Sequence, residues 1–186
     1  MRRLVLIFVF ILAVFSLPAL AITELEFKQI CRSNSVHELK TLIANEKNFA
    51  NIRFHEMDTP LIIAAKKAKN PEILRLIIAA GVDVNARNED GETALLEIMD
   101  ESVSFECVKV LLENGANPNL ADEDGETPLM KALDDDLPAD IIEALLDAGS
   151  NVKARDRKGR GILHYARKAY GLHGTATMQR IESLAK

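Results

Sequence analysis

Tryptophan is absent, aromatic residues make up only 5% of the chain, and there are just two cysteines, six prolines and nine glycines. Two cysteines cannot staple a disulfide-rich mini-protein. So little proline and glycine excludes a collagenous or low-complexity disordered chain. Basic charge is short as well, with 23 Lys+Arg against 28 Asp+Glu and a formal net charge of −5 at pH 7. General binding to a phosphate backbone needs clustered Lys and Arg and is not expected.

Signatures of chemistry are scarce too. Histidine occurs only at positions 37, 55, 164 and 173, with no second histidine, cysteine or carboxylate at helical ligand spacing. Asn88-Glu89-Asp90 and Asp122-Glu123-Asp124 resemble the start of a calcium loop. Both have threonine where that loop requires glycine and lack its terminal glutamate, so they read as turn residues. No phosphate-cradling glycine loop, nucleophile elbow or dinucleotide fingerprint occurs. The sequence implies no enzyme, no cofactor and no metal.

One long apolar run stands at the start. Met1-Arg2-Arg3 precedes Leu4 to Ile22, 19 residues without a charge, with Pro18 and Ala19-Leu20-Ala21 near its end. Basic start, apolar stretch and small residues at 19 and 21 are the order of a cleavable export signal, with cleavage after Ala21. A rival reading keeps the segment as an uncleaved membrane anchor. Without these residues the net charge moves from −5 to −7, because two arginines leave. The expectation is a protein working in the periplasm or secreted. In that oxidising setting Cys31 and Cys107 read as buried, unpaired thiols acting as small hydrophobes, too far apart to bridge.

After the signal, a shift of 34 residues aligns the chain with itself. Thr59-Pro60-Leu61 returns as Thr93-Ala94-Leu95, Thr127-Pro128-Leu129 and Gly161-Ile162-Leu163. Ala80-Gly81-Val82 returns as Asn114-Gly115-Ala116 and Ala148-Gly149-Ser150, and Asn51, Asn85 and Asn119 keep the same step. Physically, each unit starts with an Asp-Gly turn, then a threonine N-cap with proline at the first helical position. A short helix follows, then a second helix with an apolar stripe such as Ile73, Leu76 and Ile77 or Val108, Leu111 and Leu112. Glycine at 81, 115 and 149 closes it as a left-handed cap. No unit buries its apolar face alone, so neighbours must stack.

The unit T-P-L-x-x-A-A, the second helix ending L-I-x-A-G-V-D-V-N, and the D-G-E-T before the next start resemble the ankyrin repeat. The resemblance implies an all-α repeat solenoid of helix-turn-helix units joined by β-hairpin-like loops. It divides the chain into a signal peptide (1–21) and a repeat domain (22–186). Within that domain it places an N-terminal capping unit at 24–54, full repeats at 55–87, 88–121 and 122–154, and a C-terminal capping unit at 155–186. Two features depart from the family. The period is 34 where about 33 is usual, and Met57 stands where the hairpin glycine belongs. His164 falls on the family's T-P-L-H histidine, which implies a structural hydrogen-bonding role.

The resemblance also implies a protein-binding surface made of hairpin tips and the concave helix face. Acidic residues gather at the middle tips, including Glu89, Asp122 and Glu123, and the last tip is basic, with Arg155 and Arg157. Phe54 stands at a tip where other units carry Asn88, Asp122 and Asp156, either as an aromatic anchor or packed under the irregular turn. Arg53, Arg87 and Arg155 recur at the same register and should form a row of guanidinium groups. The function expected is a non-enzymatic protein-protein interaction scaffold outside the cytoplasm, binding no nucleic acid and monomeric. The alternatives are an immunity-type inhibitor or stabiliser of an exported enzyme or toxin, a secreted host-directed effector, or an enzyme around His164 and His173.

Overall fold

The computed structural model describes residues 22–100 and 103–186. The expected export signal lies outside the described residues. Among those residues the chain forms five helix pairs: α1 (Glu24–Ser33) with α2 (Val36–Asn45), α3 (Pro60–Lys67) with α4 (Pro71–Ala79), α5 (Ala94–Glu97) with α6 (Phe105–Glu113), α7 (Pro128–Asp134) with α8 (Ala139–Asp147), and α9 (Ile162–Ala166) with α10 (Ala176–Leu184). First helices stack on first helices from α1 through α9, and second helices on second helices from α2 through α10. The architecture is a two-row helical stack. None of these helices is long and apolar enough to cross a membrane.

Local chemistry sets the helix starts. The Thr59 hydroxyl accepts from the Ile62 N–H at 3.1 Å, and Thr93 and Thr127 repeat this cap one and two periods on. Pro60 and Pro128 hold the first position of their helices, where a missing N–H costs nothing. Asn70 caps α4 ahead of Pro71, as its sequence context predicts. Second helices end on Gly81, Gly115 and Gly149, all near φ +90. The apolar stripes are buried with small shifts from expectation. In α4 the buried set is Ile73, Leu74 and Ile77, with Leu76 only partly covered. In α6, Cys107 and Val110 join Val108 and Leu111 while Leu112 is partly covered. Both corrections have one cause. Each second helix is clasped by two neighbouring repeats as well as by its own first helix, so its buried arc is wider than one stripe.

Side chains then tie one repeat to the next. The Asn85 amide donates to the Gly115 carbonyl at 3.0 Å, and its oxygen accepts from the Asn117 N–H at 2.8 Å. Asn119 does the same to Gly149 and Asn151. Asn34, itself in the left-handed region, accepts from the Lys69 and Asn70 N–H groups, and Asp136 accepts from Gly171 in the same way. These last clamps use the residue that lengthens the period, in the turn between the two helices.

The hairpins contain no strand among the described residues, only an isolated bridge between Arg155 and Gly161. They are closed instead by backbone bonds from the N–H groups of Asn88, Asp122 and Asp156 to the carbonyls of Glu92, Glu126 and Arg160, each with a glycine N–H turning back inside the loop. The hairpin with Met57 closes equally well, Phe54 N–H to the Asp58 carbonyl at 2.9 Å. It does so by placing both Glu56 and Met57 at positive φ, without the glycine the other hairpins use. Gly125 shows what that glycine is for: a Cβ there would meet the Arg157 nitrogen of the next hairpin at 3.0 Å. Gly115 has similar φ and open space around it. Gly125→Ala is therefore expected to cost about 2 kcal/mol and Gly115→Ala about 1 kcal/mol, read by urea unfolding. Equal losses would show that φ alone, and not tip stacking, sets the requirement.

Cys31 and Cys107 are both free and buried. Burial pushes the Cys31 thiol up to about 12 and raises Cys107 as well. Neither offers a thiolate.

Candidate functional site

The tips of successive hairpins are joined by backbone bonds. Glu89 N–H donates to the Glu56 carbonyl, Glu123 to Asp90 and Arg157 to Asp124, at 2.9 to 3.2 Å. Glu89, Glu123 and Arg157 therefore stand in one exposed row at single-repeat spacing. Three of the four tips are further set from within. The Asn88 oxygen accepts from the Asp90 and Glu92 N–H groups, and Asp122 and Asp156 accept from the equivalent pairs. Each is an Asx turn that fixes where the tip points. Between the second and third tips lies an open cleft lined by Asp90, Glu92, Asp122, Glu123, Asp124 and Arg157.

Beneath the tips runs a ladder of half-buried charges. Lys66 of α3 reaches Asp58 at 3.1 Å and Glu97 of α5 at 2.7 Å. The Asn88 amide donates to the same two carboxylates, at 3.1 and 3.3 Å. Glu97 hydrogen-bonds the carboxyl of Glu92, and Glu92 pairs with Lys131 of α7. Burial pushes Glu97 up to about 7, helped by the neighbouring Glu92, while Lys66 pulls the other way. Glu92 is lowered, because its bonds to Glu97 and Lys131 outweigh its burial. The two carboxyls therefore titrate as a pair, Glu97 holding its proton more readily than Glu92.

The last hairpin repeats the plan with different chemistry. The Tyr165 hydroxyl stands 2.7 Å from Asp156 and 3.0 Å from Glu126, its single proton available to either carboxylate, and the Arg160 guanidinium pairs with both. Burial and the two carboxylates raise the Tyr165 phenol, so it stays a donor. These groups occupy columns 34 residues apart, Ile63/Glu97/Lys131/Tyr165 and Asp58/Glu92/Glu126/Arg160. Sequence reading missed the ladder. Its signal was there: polar residues of alternating sign in a column that begins with isoleucine.

The residues singled out from sequence divide sharply. Glu89, Glu123 and Arg157 are exposed and aligned. Arg87 and Arg155 are exposed too, but each guanidinium turns back to its own hairpin, bonding the Gly91 and Gly159 carbonyls at 2.8 Å. Arg53 bonds the Ile52 carbonyl next to it. The expected guanidinium row is thus two separate hairpin braces and one arginine bonded to its neighbour's carbonyl, and Ala121 interrupts it. Asp122 is a turn cap 3.8 Å from Lys131 rather than a free tip charge. Phe54 is no exposed anchor. Its ring stacks on Phe27 at 5.4 Å, and Phe49 meets Phe27 edge-on, so Phe54 fills the N-terminal core in place of an Asx cap. His164 is exposed, with its ring edge-on to Tyr165. Its counterparts Ile62, Leu96 and Met130 are buried because a following repeat covers them. His173 lies exposed with its ring nitrogen at the Arg167 carbonyl. Among the described residues no cluster of His, Cys, Asp and Glu is arranged to hold a metal ion.

The family model for ankyrin repeats (3 copies) matches residues 27–122, 61–156 and 98–171. The chain belongs to the ankyrin repeat family. No curated protein matches it. Ankyrin arrays are generally protein–protein interaction modules, and their partners are set by the surface residues grafted on the stack.

Proposed function

We propose that this chain is a non-enzymatic protein-binding module that works outside the cytoplasm and engages its partner through the hairpin tips. The observation that carries the reading is the row Glu89, Glu123 and Arg157, held at fixed spacing by backbone bonds from tip to tip. A surface that is already ordered loses little conformational entropy on binding. The tips run from acidic, at Glu89, Asp90, Glu123 and Asp124, to basic, at Arg157 and Lys158. That polarity suits a partner with a basic patch beside an acidic one, and it steers orientation more than it adds affinity. Export rests on the order of residues 1–21.

The test is affinity capture with residues 22–186, from envelope and secreted fractions, after mild cross-linking. Glu89→Lys/Glu123→Lys/Arg157→Glu reverses the row without touching an Asx turn. One partner captured by the native chain and lost with this variant is the expected result. A partner retained by it would move the binding surface away from the tips. An inhibitor or stabiliser of an exported basic enzyme is the second reading, favoured by the net acidic body. Its mark would be suppression of the captured protein's activity.

A further inference from the structure

Among the described residues, the outer faces of the first and last helix pairs each set apolar residues among polar ones. At the N-terminal end a groove of about 640 Å³ opens between α1 and α2, lined by Ile22, Ile30 and Leu42 together with Glu26 and Glu38. Leu25 is 72% exposed on the same helix. The positions are telling. Ile30 is one period from Ala64, and that column continues through Ile98, Ala132 and Ala166, all four of them buried. Leu42 shares its column with Leu76, half-buried, and Val110, fully buried. Ile30 and Leu42 are stacking residues of a repeat that has no predecessor among the described residues.

The C-terminal end is the other half. A second groove, of about 340 Å³, is lined by Lys153, Arg155, Leu163, His164 and Lys186 among others. Leu163 follows Leu61, Leu95 and Leu129, which are buried, yet it is only half-buried itself. Lys153 takes the column of Asn85 and Asn119, which clamp the next repeat. This face presents cations, and the N-terminal groove presents carboxylates.

We propose that a second copy of this chain occupies the N-terminal groove, its C-terminal face stacking on the α1–α2 face as one repeat stacks on the next. The junction continues the internal interface, with Ile30 and Leu42 against Leu163. Glu26 and Glu38 of one copy face Lys153 and Lys186 of the other. Such a contact is heterologous and does not close on itself, so association is open-ended. It departs from the monomer expected from the sequence, because each outer face leaves apolar stacking residues among its charges.

Sedimentation velocity of residues 22–186, which contain every described helix and the whole described core, tests this. The weight-average mass should rise with concentration past that of a dimer, without a plateau, and fall back at high salt. Two exposed-surface variants block one end each: Gln29→Arg/Glu38→Arg/Thr41→Arg at the N-terminal face and Lys153→Glu/His164→Glu/Lys186→Glu at the C-terminal face. Each should melt as the parent does and sediment as a single chain alone, and mixing the two should restore association through matched charges. A single-chain mass for the parent at every concentration would overturn the proposal and leave the groove to residues 1–21 or to another protein. A plateau at dimer would overturn it too, in favour of a symmetric face-to-face pair. Association that survives both blocks would place the contact elsewhere.

Discussion

Asn88→Ala is expected to lower the unfolding free energy by about 2–4 kcal/mol in urea titrations. The side chain is buried and makes four hydrogen bonds, two accepted from the Asp90 and Glu92 N–H groups and two donated to Asp58 and Glu97. Alanine would leave two backbone donors and two carboxylates to find other partners inside a packed turn. Leaving buried groups unpaired costs more than the bonds themselves contribute. Asn88→Asp separates the two roles. Aspartate keeps the Asx turn, as Asp122 and Asp156 do, but cannot donate, and it would bring a third carboxyl against Asp58 and Glu97. At 122 and 156 the carboxylate is balanced by Lys131 or by Arg160 and Tyr165. At position 88 the nearest balancing cation in the ladder is Lys66, already shared by Asp58 and Glu97. Asn88→Asp should therefore destabilise at neutral pH and recover on acidification. A loss independent of pH would mean that the added charge carries no weight and that the lost amide donations account for the effect.

The contrast between 88 and 122 also marks where sequence reading stopped. The period, the threonine caps, the closing glycines and the stacked architecture were legible, because each depends on residues within a few positions of each other and repeats along the chain. The buried place of Cys31 and Cys107 followed from the same columns. What was not legible depends on the neighbour one repeat away. Arg87 looks identical as a binding residue or as a brace for Gly91, since only the rotamer tells them apart. Phe54 at a tip position could face solvent or Phe27, and the choice lies with a helix 27 residues earlier. Met57 raised doubt about its hairpin because local rules give glycine that conformation. The closing bond to Asp58 survives because stacking over-determines the turn. The charge ladder went unseen for a related reason. Glu97 and Lys131 look like solvated helix residues when each helix is read alone, and become a half-buried network only when columns are read across repeats.

That network yields the second large effect. Glu97→Gln is expected to stabilise the protein by about 2–3 kcal/mol at pH 7 and above, and to change it little near pH 4. Glutamine reproduces the protonated carboxyl: its oxygen accepts from Lys66 and Asn88, and its NH₂ donates to Glu92. In the native protein that donor is a proton whose group is raised from the ordinary 4.5 to about 7. A carboxyl raised by folding binds a proton in the folded state that the unfolded chain has already released between those values. Its contribution is thus fully present below pH 4.5 and is lost as pH rises toward 7. Glu92, lowered by the same contacts, contributes in the opposite sense, and its share is lost as pH falls through the acid range. The wild-type stability curve should slope downward from about pH 4.5 to 7, and the Glu97→Gln curve should be flat across that window. Carboxyl carbon NMR would report the same event as a Glu97 titration near neutrality. Above it, the Glu92 and Glu97 charges repel between the hairpin and first helix of the 88–121 repeat, and amide exchange there should quicken in the native chain but not in the variant. Parallel curves for the two proteins would mean that Glu97 ionises normally and that Lys66 and Lys131 hold both carboxylates charged.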